Sequence, residues 1–362
     1  MAMLNTLKSI FYALEYKRTS SSLSTPLRWV KTPESSNKLV LLVFRLEPRS
    51  GGLRNIARIA NALQESYDSE LFVYVQNKSS QDAELFKEYS FDGQLIYELP
   101  TECRFYVTSS WIFGSEIESK ISKGKTKWIH IIQDYDELFF PVSTKYFHAY
   151  NVRNYADIYI SSGKWMNLPG NVIQLPFPID ESIYNVENKK GKDLDVLFFH
   201  KPEMPRRSAF LCEQIAQELL LRRPNLKIAF YGSGISKWVT TAKVINFGSI
   251  PTLKELSDLY RRTRVGVSVN FTNPSIIPFE QLACGCKPLS PTLDAYPEFY
   301  IDGISIAGGV SSFCDAVIHT LDQNLEESAL RAIYSGFLKS GLICRKEDFV
   351  QIIQDSIKRH AD

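Results

Sequence analysis

Leu39-Val40-Leu41-Leu42-Val43-Phe44 is the longest apolar run in the chain, and the fold is read outward from it. A continuous apolar run of this length suits a strand covered on both faces, as in a parallel sheet. It is far short of the roughly 20 residues that cross a bilayer. The strand it predicts, over 39–46, is followed by Arg49-Ser50-Gly51-Gly52 and then by a helix predicted over 51–66. Further strands are predicted over 70–76, 94–99, 104–109, 127–133, 157–161 and 172–175, with helices over 81–89 and 143–154. The second half repeats the rhythm. Strands over 194–199, 227–231, 265–270 and 287–290 alternate with helices over 206–222, 252–263 and 278–285. Thr252-Leu253-Lys254-Glu255 opens the middle helix as a capping box. Helices near 311–321, 325–339 and 346–359 finish the chain.

Two βα-rich halves, parted by Pro176-Phe177-Pro178-Ile179-Asp180 and the polar stretch 185–193, predict an α/β protein of two doubly wound domains facing each other. The expected partition is a helix and linker over 1–37, an N-terminal domain over 38–180 and a C-terminal domain over 181–345. The last helix, 346–362, is expected to pack back on the N-terminal domain. Ligands of such sheets bind beyond the carboxyl ends of the strands, so chemistry is sought there and in the cleft between domains.

Composition narrows the function classes. The 362 residues are 44% hydrophobic and 23% charged, enough to build cores and unlike a disordered polymer. Lys plus Arg numbers 42 against 40 Asp plus Glu, which argues against a dedicated nucleic-acid binder. The N-terminus lacks a signal peptide's apolar core and cleavage site, so a soluble, cytoplasmic protein is expected. Residues 4–18 place Leu4, Leu7, Ile10, Phe11 and Leu14 on one helical face with basic residues elsewhere. Such a helix can touch an anionic membrane peripherally, although packing on its own domain is the commoner use. The six cysteines form no CxxC pair, and reduced, buried thiols are expected.

Two stretches at strand ends carry candidate chemistry. Ser50-Gly51-Gly52 lets main-chain N–H groups approach an anion or a sugar at the start of a helix, but it matches neither GxGxxG nor GxxxxGK[ST]. Asn273-Pro274-Ser275-Ile276-Ile277-Pro278-Phe279-Glu280, running on through Gly285, puts Pro278 and Glu280 in a helix's first turn. A carboxylate there accepts hydrogen bonds from sugar hydroxyls; spacing alone equally allows a residue that only decorates the helix.

The string Pro278-Phe279-Glu280-Gln281-Leu282-Ala283-Cys284-Gly285, with Lys287-Pro288-Leu289 after it, resembles the nucleotide-sugar signature of GT-B glycosyltransferases of glycosyltransferase family 4. With Asn273-Pro274-Ser275 before it, the string is more similar still to bacterial rhamnosyltransferases that use dTDP-rhamnose in surface polysaccharide synthesis. Ser50-Gly51-Gly52, Ile132-Gln133-Asp134-Tyr135, Ser162-Gly163-Lys164-Trp165, Phe177-Pro178-Ile179-Asp180, Lys201-Pro202, Pro205-Arg206 and Phe230-Tyr231-Gly232-Ser233 agree with that group. The resemblance spans roughly 39–300.

It implies a GT-B fold of two Rossmann-like domains and a retaining, metal-independent transferase with no cofactor beyond its nucleotide-sugar substrate. Donor binding falls to Gly51, Gly52, Lys201, Arg206, Gly232, Ser233, Ser275 and Glu280, with Glu280 on the ribose hydroxyls. Lys201 and Arg206 would neutralise the pyrophosphate. Gln133, Asp134 and Trp165 would hold the acceptor, an oligosaccharide or lipid-linked glycan, and Asp134 joins Lys201 and Arg206 in catalysis. Two positions depart from the pattern: Thr272 stands where many members carry an acid, and Ser249 where a basic residue is usual, with Lys254 or Arg207 as substitutes. UDP- or GDP-sugar donors, and a non-catalytic homologue that binds glycan or a partner transferase, remain alternatives. Asp134-Tyr135-Asp136 is formally a DxD metal motif, but positive side chains can replace the metal on a diphosphate. The five histidines form no HxxxH or HExxH, and no GxSxG supports a hydrolase.

Overall fold

Strands that are apolar on both faces need helices on both sides, and the chain supplies them in two units. The computed structural model describes residues 27–31, 37–48, 50–120, 126–166, 168–187, 191–233, 244–292, 304–306 and 308–361. The predicted helix over 4–18 lies outside these residues, as do Arg49 and Gly234. One compact unit comprises Met1–Ser162, Asn167–Leu175 and Val350–Asp362; the other comprises Gly163–Met166 and Pro176–Phe349.

In the first unit the elements are β1 (Trp29–Val30), β2 (Lys38–Val43), α1 (Gly51–Ser66), β3 (Glu70–Val75), α2 (Asp82–Glu88), β4 (Gln94–Ile96), β5 (Leu99–Pro100), β6 (Phe105–Thr108), α3 (Gly114–Lys120), β7 (Lys127–Ile132), α4 (Thr144–Asn151), β8 (Ile158–Ser162) and β9 (Val172–Leu175). Seven strands form one parallel sheet in the order β4-β3-β2-β6-β7-β8-β9. Leu39, Val40, Leu41 and Leu42 have no solvent exposure. The apolar run is therefore the covered central strand β2, as its pattern requires. Helix α1 turns Leu53, Ile56, Ile59, Ala60 and Leu63 inward, and Ser50 caps it by accepting from Leu53 N at 3.2 Å. The strand expected over 94–99 is split in two. Leu99–Pro100 leaves the main sheet to pair in parallel with β1.

In the second unit the elements are β10 (Phe177–Ile179), β11 (Leu194–His200), α5 (Ala209–Arg222), β12 (Ile228–Gly232), β13 (Ile245–Asn246), α6 (Leu253–Arg261), β14 (Thr263–Val267), α7 (Ile277–Ala283), β15 (Lys287–Pro291), β16 (Ser305–Ile306), α8 (Val310–Gln323), α9 (Glu327–Ser340), β17 (Ile343–Arg345) and the start of α10 (Lys346–Ala361). Six strands pair in parallel in the order β13-β12-β11-β14-β15-β16. Val196, Phe198, Phe230, Val265 and Val267 pack with Ile215, Phe313 and Val317 of the flanking helices. The Thr252–Glu255 capping box forms, with both hydrogen bonds at 3.2 Å. Phe177–Ile179, within the stretch expected to part the two halves, pairs in parallel with β17. In the first unit, Gln354 donates to Glu65 at 2.5 Å.

Two differences from the predicted elements bear on the site. The helix expected over 206–222 begins only at Ala209, because Ser208 takes a left-handed φ of 42° after a single 3-10 turn, Pro205–Arg207. The strand expected over 265–270 runs from Thr263 to Val267, which leaves 268–276 as loop. All six cysteines are buried free thiols. Among the described residues, no helix is long and apolar enough to cross a membrane.

His130 of β7 is buried, with Nδ1 2.6 Å from Thr108 Oγ1, and burial lowers its pKa to about 3. Between that value and the ordinary 6.5 the unfolded chain binds a proton that the native imidazole refuses, so stability falls as pH drops through this window. Urea unfolding should show a loss of about 2 kcal/mol from this group between pH 7.5 and pH 5. His130→Gln should lack that component; an equal pH dependence in the variant contradicts the assignment.

Candidate functional site

A doubly wound sheet opens a crevice where its strand order reverses, because the loops leaving the two strands there diverge. In the second unit β12 and β13 are added on one side of β11, and β14, β15 and β16 on the other. The reversal therefore lies between β11 and β14. Their loops, 201–208 and 268–276, contain Lys201, Arg206 and Ser275, three of the eight residues expected to bind a donor.

The loops are tied together. Phe271 N donates to Arg206 O at 3.0 Å, and Arg207 Nη1 donates to Ser275 Oγ at 3.2 Å. Local sequence explains both shapes. Pro205 presets the φ of the 3-10 turn that displays the two arginines. In the other loop Asn273 Oδ1 accepts from Ser275 N at 3.0 Å, an Asx turn, and Asn270 Nδ2 donates to Asn273 O at 2.7 Å. Ser275 then takes φ 57° just ahead of α7, its Oγ accepting from Ile277 N at 3.4 Å.

At the neighbouring strand end, Gly232 holds φ 127° and donates to Gly248 O at 2.8 Å. A Cβ there would stand 2.6 Å from His200 O, so glycine is sterically required. Ser233 Oγ donates to Glu203 at 2.7 Å, and Lys201 Nζ lies 3.9 Å from the same carboxylate. Burial pulls the Glu203 carboxyl upward, but the Ser233 hydroxyl, its own main-chain N–H and the Lys201 charge hold it below the usual range. His200 is turned away, with Nε2 2.9 Å from buried Glu213.

Glu280 lies in the first turn of α7 beside three tyrosines. The Tyr184 phenol hydrogen-bonds to it, and burial followed by the Glu280 charge pushes that phenol's pKa upward. Tyr231 and Tyr260 share a hydrogen bond at 2.7 Å, and the rings of Tyr184 and Tyr260 stack at 6.3 Å. Burial raises Tyr231 most, Glu280 raises it further and Arg207 lowers it, so both charges reach the same phenol. The Arg207 guanidinium also stands 5.1 Å over the Phe199 ring.

Arg207, Glu203 and the tyrosines join the residues expected here. Consecutive residues of a 3-10 turn point in different directions, so sequence could not tell which arginine reaches Ser275. The only hint lay in Arg207 as a named substitute. Thr272 is buried at 2% exposure with no hydrogen-bond partner for Oγ1, whereas Ser249 and Lys254 are exposed. Trp165 is buried beside Gly163 and Phe177.

In the first unit the order reverses between β2 and β6. Ser50 N donates to Tyr89 Oη at 2.9 Å, and Tyr89 Oη donates back to Glu47 O, which fixes the turn into α1. Gln133 Nε2 donates to Gly52 O at 3.0 Å, so the end of β7 meets the start of α1. Gly51 is open to solvent on its Cβ side. Asp134 is buried, and its carboxylate accepts from Tyr135 N at 2.9 Å. Asp136 starts a separate 3-10 turn. Among the described residues no group of three His, Cys, Asp or Glu side chains could hold a metal ion.

No protein-family model matches the chain, and no curated protein matches it in sequence. Solved structures do match in fold. Sucrose-phosphate synthase from Thermosynechococcus elongatus is similar with a TM-score of 0.67 at 11% identity, over 89% of this chain and 98% of its own. HepE from Anabaena, determined with UDP and glucose, gives 0.67 at 11% over 90% and 99%. The pneumococcal O-GlcNAc transferase GtfA, determined with UDP and GlcNAc, gives 0.62 at 9% over 91% and 100%. The fold is GT-B, with two Rossmann-like units.

The glycines separate structural need from tolerance. Gly232→Ala should destabilise the protein by about 2 kcal/mol in urea unfolding, through a left-handed φ and the His200 carbonyl. Gly51→Ala should change stability by less than about 0.5 kcal/mol. Equal effects at both positions would contradict this reading of the β12 end.

Proposed function

We propose that the chain is a glycosyltransferase that moves a sugar from a nucleoside-diphosphate donor to a glycan acceptor. The observation that carries this reading is the tie between the two loops at the strand-order reversal of the second unit. It sets the segment bearing Lys201, Arg206 and Arg207 against the segment from Asn273 to Glu280. The GT-B fold shared with the UDP-bound structures supports it, and so does the signature around Glu280.

The chemistry follows from charge. The sugar's C1–O bond to the diphosphate breaks, a C1–O bond to the acceptor hydroxyl forms, and the hydroxyl proton passes to a donor phosphate oxygen. The leaving diphosphate gains negative charge as its bond breaks, so fixed cations stabilise the transition state more than the bound donor. Lys201, Arg206 and Arg207 supply that charge without a metal. Glu280, held by Tyr184, accepts a hydrogen bond from the ribose. Gly232 and Ser233 let the main chain pass close to the nucleotide. Gln133 and Asp134 orient the acceptor hydroxyl, and the configuration at C1 is retained.

Within this class, Asn273-Pro274-Ser275 ahead of Glu280 favours dTDP-L-rhamnose as donor and a lipid-linked or oligosaccharide acceptor of a bacterial surface polysaccharide, built in the cytoplasm. A thermal-shift panel of dTDP, UDP and GDP tests both levels. Saturating dTDP should raise Tm by about 5 °C or more, since ligand at a hundred times Kd adds about 2.7 kcal/mol. Glu280→Ala and Arg207→Ala should each remove most of the rise. A rise with UDP or GDP alone retires the rhamnose donor; no rise with any of the three retires the transferase reading.

A further inference from the structure

Glu203 is the one carboxylate in the sequence of the loop 201–208, and it lies between the lysine and the arginines expected on a diphosphate. Its place follows from the local chain. Met204 N donates to Lys201 O at 3.0 Å, which closes a β-turn with Pro202 at the first corner, where a fixed φ is favoured. Glu203 is the second corner. His200 of β11 lies opposite Gly232 of β12, so Lys201 and Ser233 leave adjacent strand ends. The turn aims the Glu203 carboxylate at both: one oxygen accepts from Ser233 Oγ at 2.7 Å, and the other lies 3.9 Å from Lys201 Nζ.

Lys201 and Ser233 are two of the residues expected to bind the donor. An ammonium and a hydroxyl bind a phosphate oxygen by the same charge and hydrogen-bond geometry with which they bind a carboxylate. The Glu203 carboxyl lies below its usual range despite burial, so it is ionised at neutral pH. A diphosphate takes Lys201 and Ser233 either by displacing this carboxylate or by sharing them with it. Displacement costs an ion pair and a hydrogen bond to a charged group; sharing sets like charges side by side. Both oppose binding, and the second grows with the charge of the ligand. A nucleoside diphosphate carries one more negative charge at about pH 8 than its nucleotide sugar, because a terminal phosphate not esterified to a sugar loses its second proton near pH 6. The product of sugar transfer is therefore opposed more strongly than the donor.

We infer that Glu203 is a specificity-determining residue, which competes with the diphosphate for Lys201 and Ser233 and disfavours the nucleoside diphosphate more than the nucleotide sugar. The inference rests on the transferase reading. Calorimetric titration of the full chain at about pH 8 tests it, with dTDP, UDP and GDP and with dTDP-rhamnose, UDP-glucose and GDP-mannose as probes. Glu203→Gln keeps a side-chain oxygen for Ser233 and removes the charge, and Glu203→Ala removes both. The side chain is 53% exposed, so neither variant opens the core. The diphosphate that binds the unaltered chain should bind both variants at least fivefold more tightly, and its nucleotide sugar should gain less. Unchanged or weaker binding by the variants, which is what a residue that only shapes the loop would give, overturns the competition while the transferase reading stands. An equal gain for diphosphate and nucleotide sugar overturns the discrimination between them. No binding of any probe by the unaltered chain or the variants overturns the transferase reading and the role of Glu203 together.

Discussion

Two loops that leave neighbouring strands and diverge can act on one ligand only if something holds them together. In the second unit the holding interactions are the Phe271–Arg206 main-chain hydrogen bond and the Arg207–Ser275 side-chain hydrogen bond. The second needs Ser275 in a left-handed conformation, which the Asn273 Asx turn supports, and it needs the 3-10 turn that Pro205 starts. Conformations of this kind cost of order 1–3 kcal/mol each and persist where the surroundings over-determine them. Ser208 and Ser275 both pay that cost, on either side of the same contact. Strain concentrated at one strand-end crevice is what a preorganised binding site requires.

Behind the loops, the sheet does the positioning. Central strands with no exposed residues cannot slide without opening the core, so their carboxyl ends are fixed points. Gly232 is one of these points, pressed against the His200 carbonyl. Buried His200 looks away toward Glu213, which is the structural use of a histidine and not a ligand contact. Glu280 is steadied from below by Tyr184, itself stacked on Tyr260.

Much of this was legible in the sequence because it depends on periodicity. Leu39 to Phe44 announced a covered strand, Thr252 to Glu255 a helix start, and the alternation of strand and helix the α/β class. The place of Lys201, Arg206 and Glu280 was legible too, since each follows a predicted strand. What could not be read depends on left-handed serines and side-chain direction. Nothing in Arg206-Arg207-Ser208 marks Ser208 as the break that turns a predicted helix into a turn. Thr272, where an acid was the usual residue, keeps a buried hydroxyl without a partner, a polar atom in reserve at the crevice loop.

The central claim is that the second unit binds a nucleotide sugar whose diphosphate departs between these loops. The most direct measurement incubates the purified chain with a mixed pool of nucleotide sugars, with and without lipid-linked glycan, and follows each by mass spectrometry. The account predicts that one of them, dTDP-rhamnose, disappears only when the glycan is present and that dTDP accumulates in equal amount. A pool left intact in both arms, or a nucleotide sugar converted without any acceptor, would contradict it.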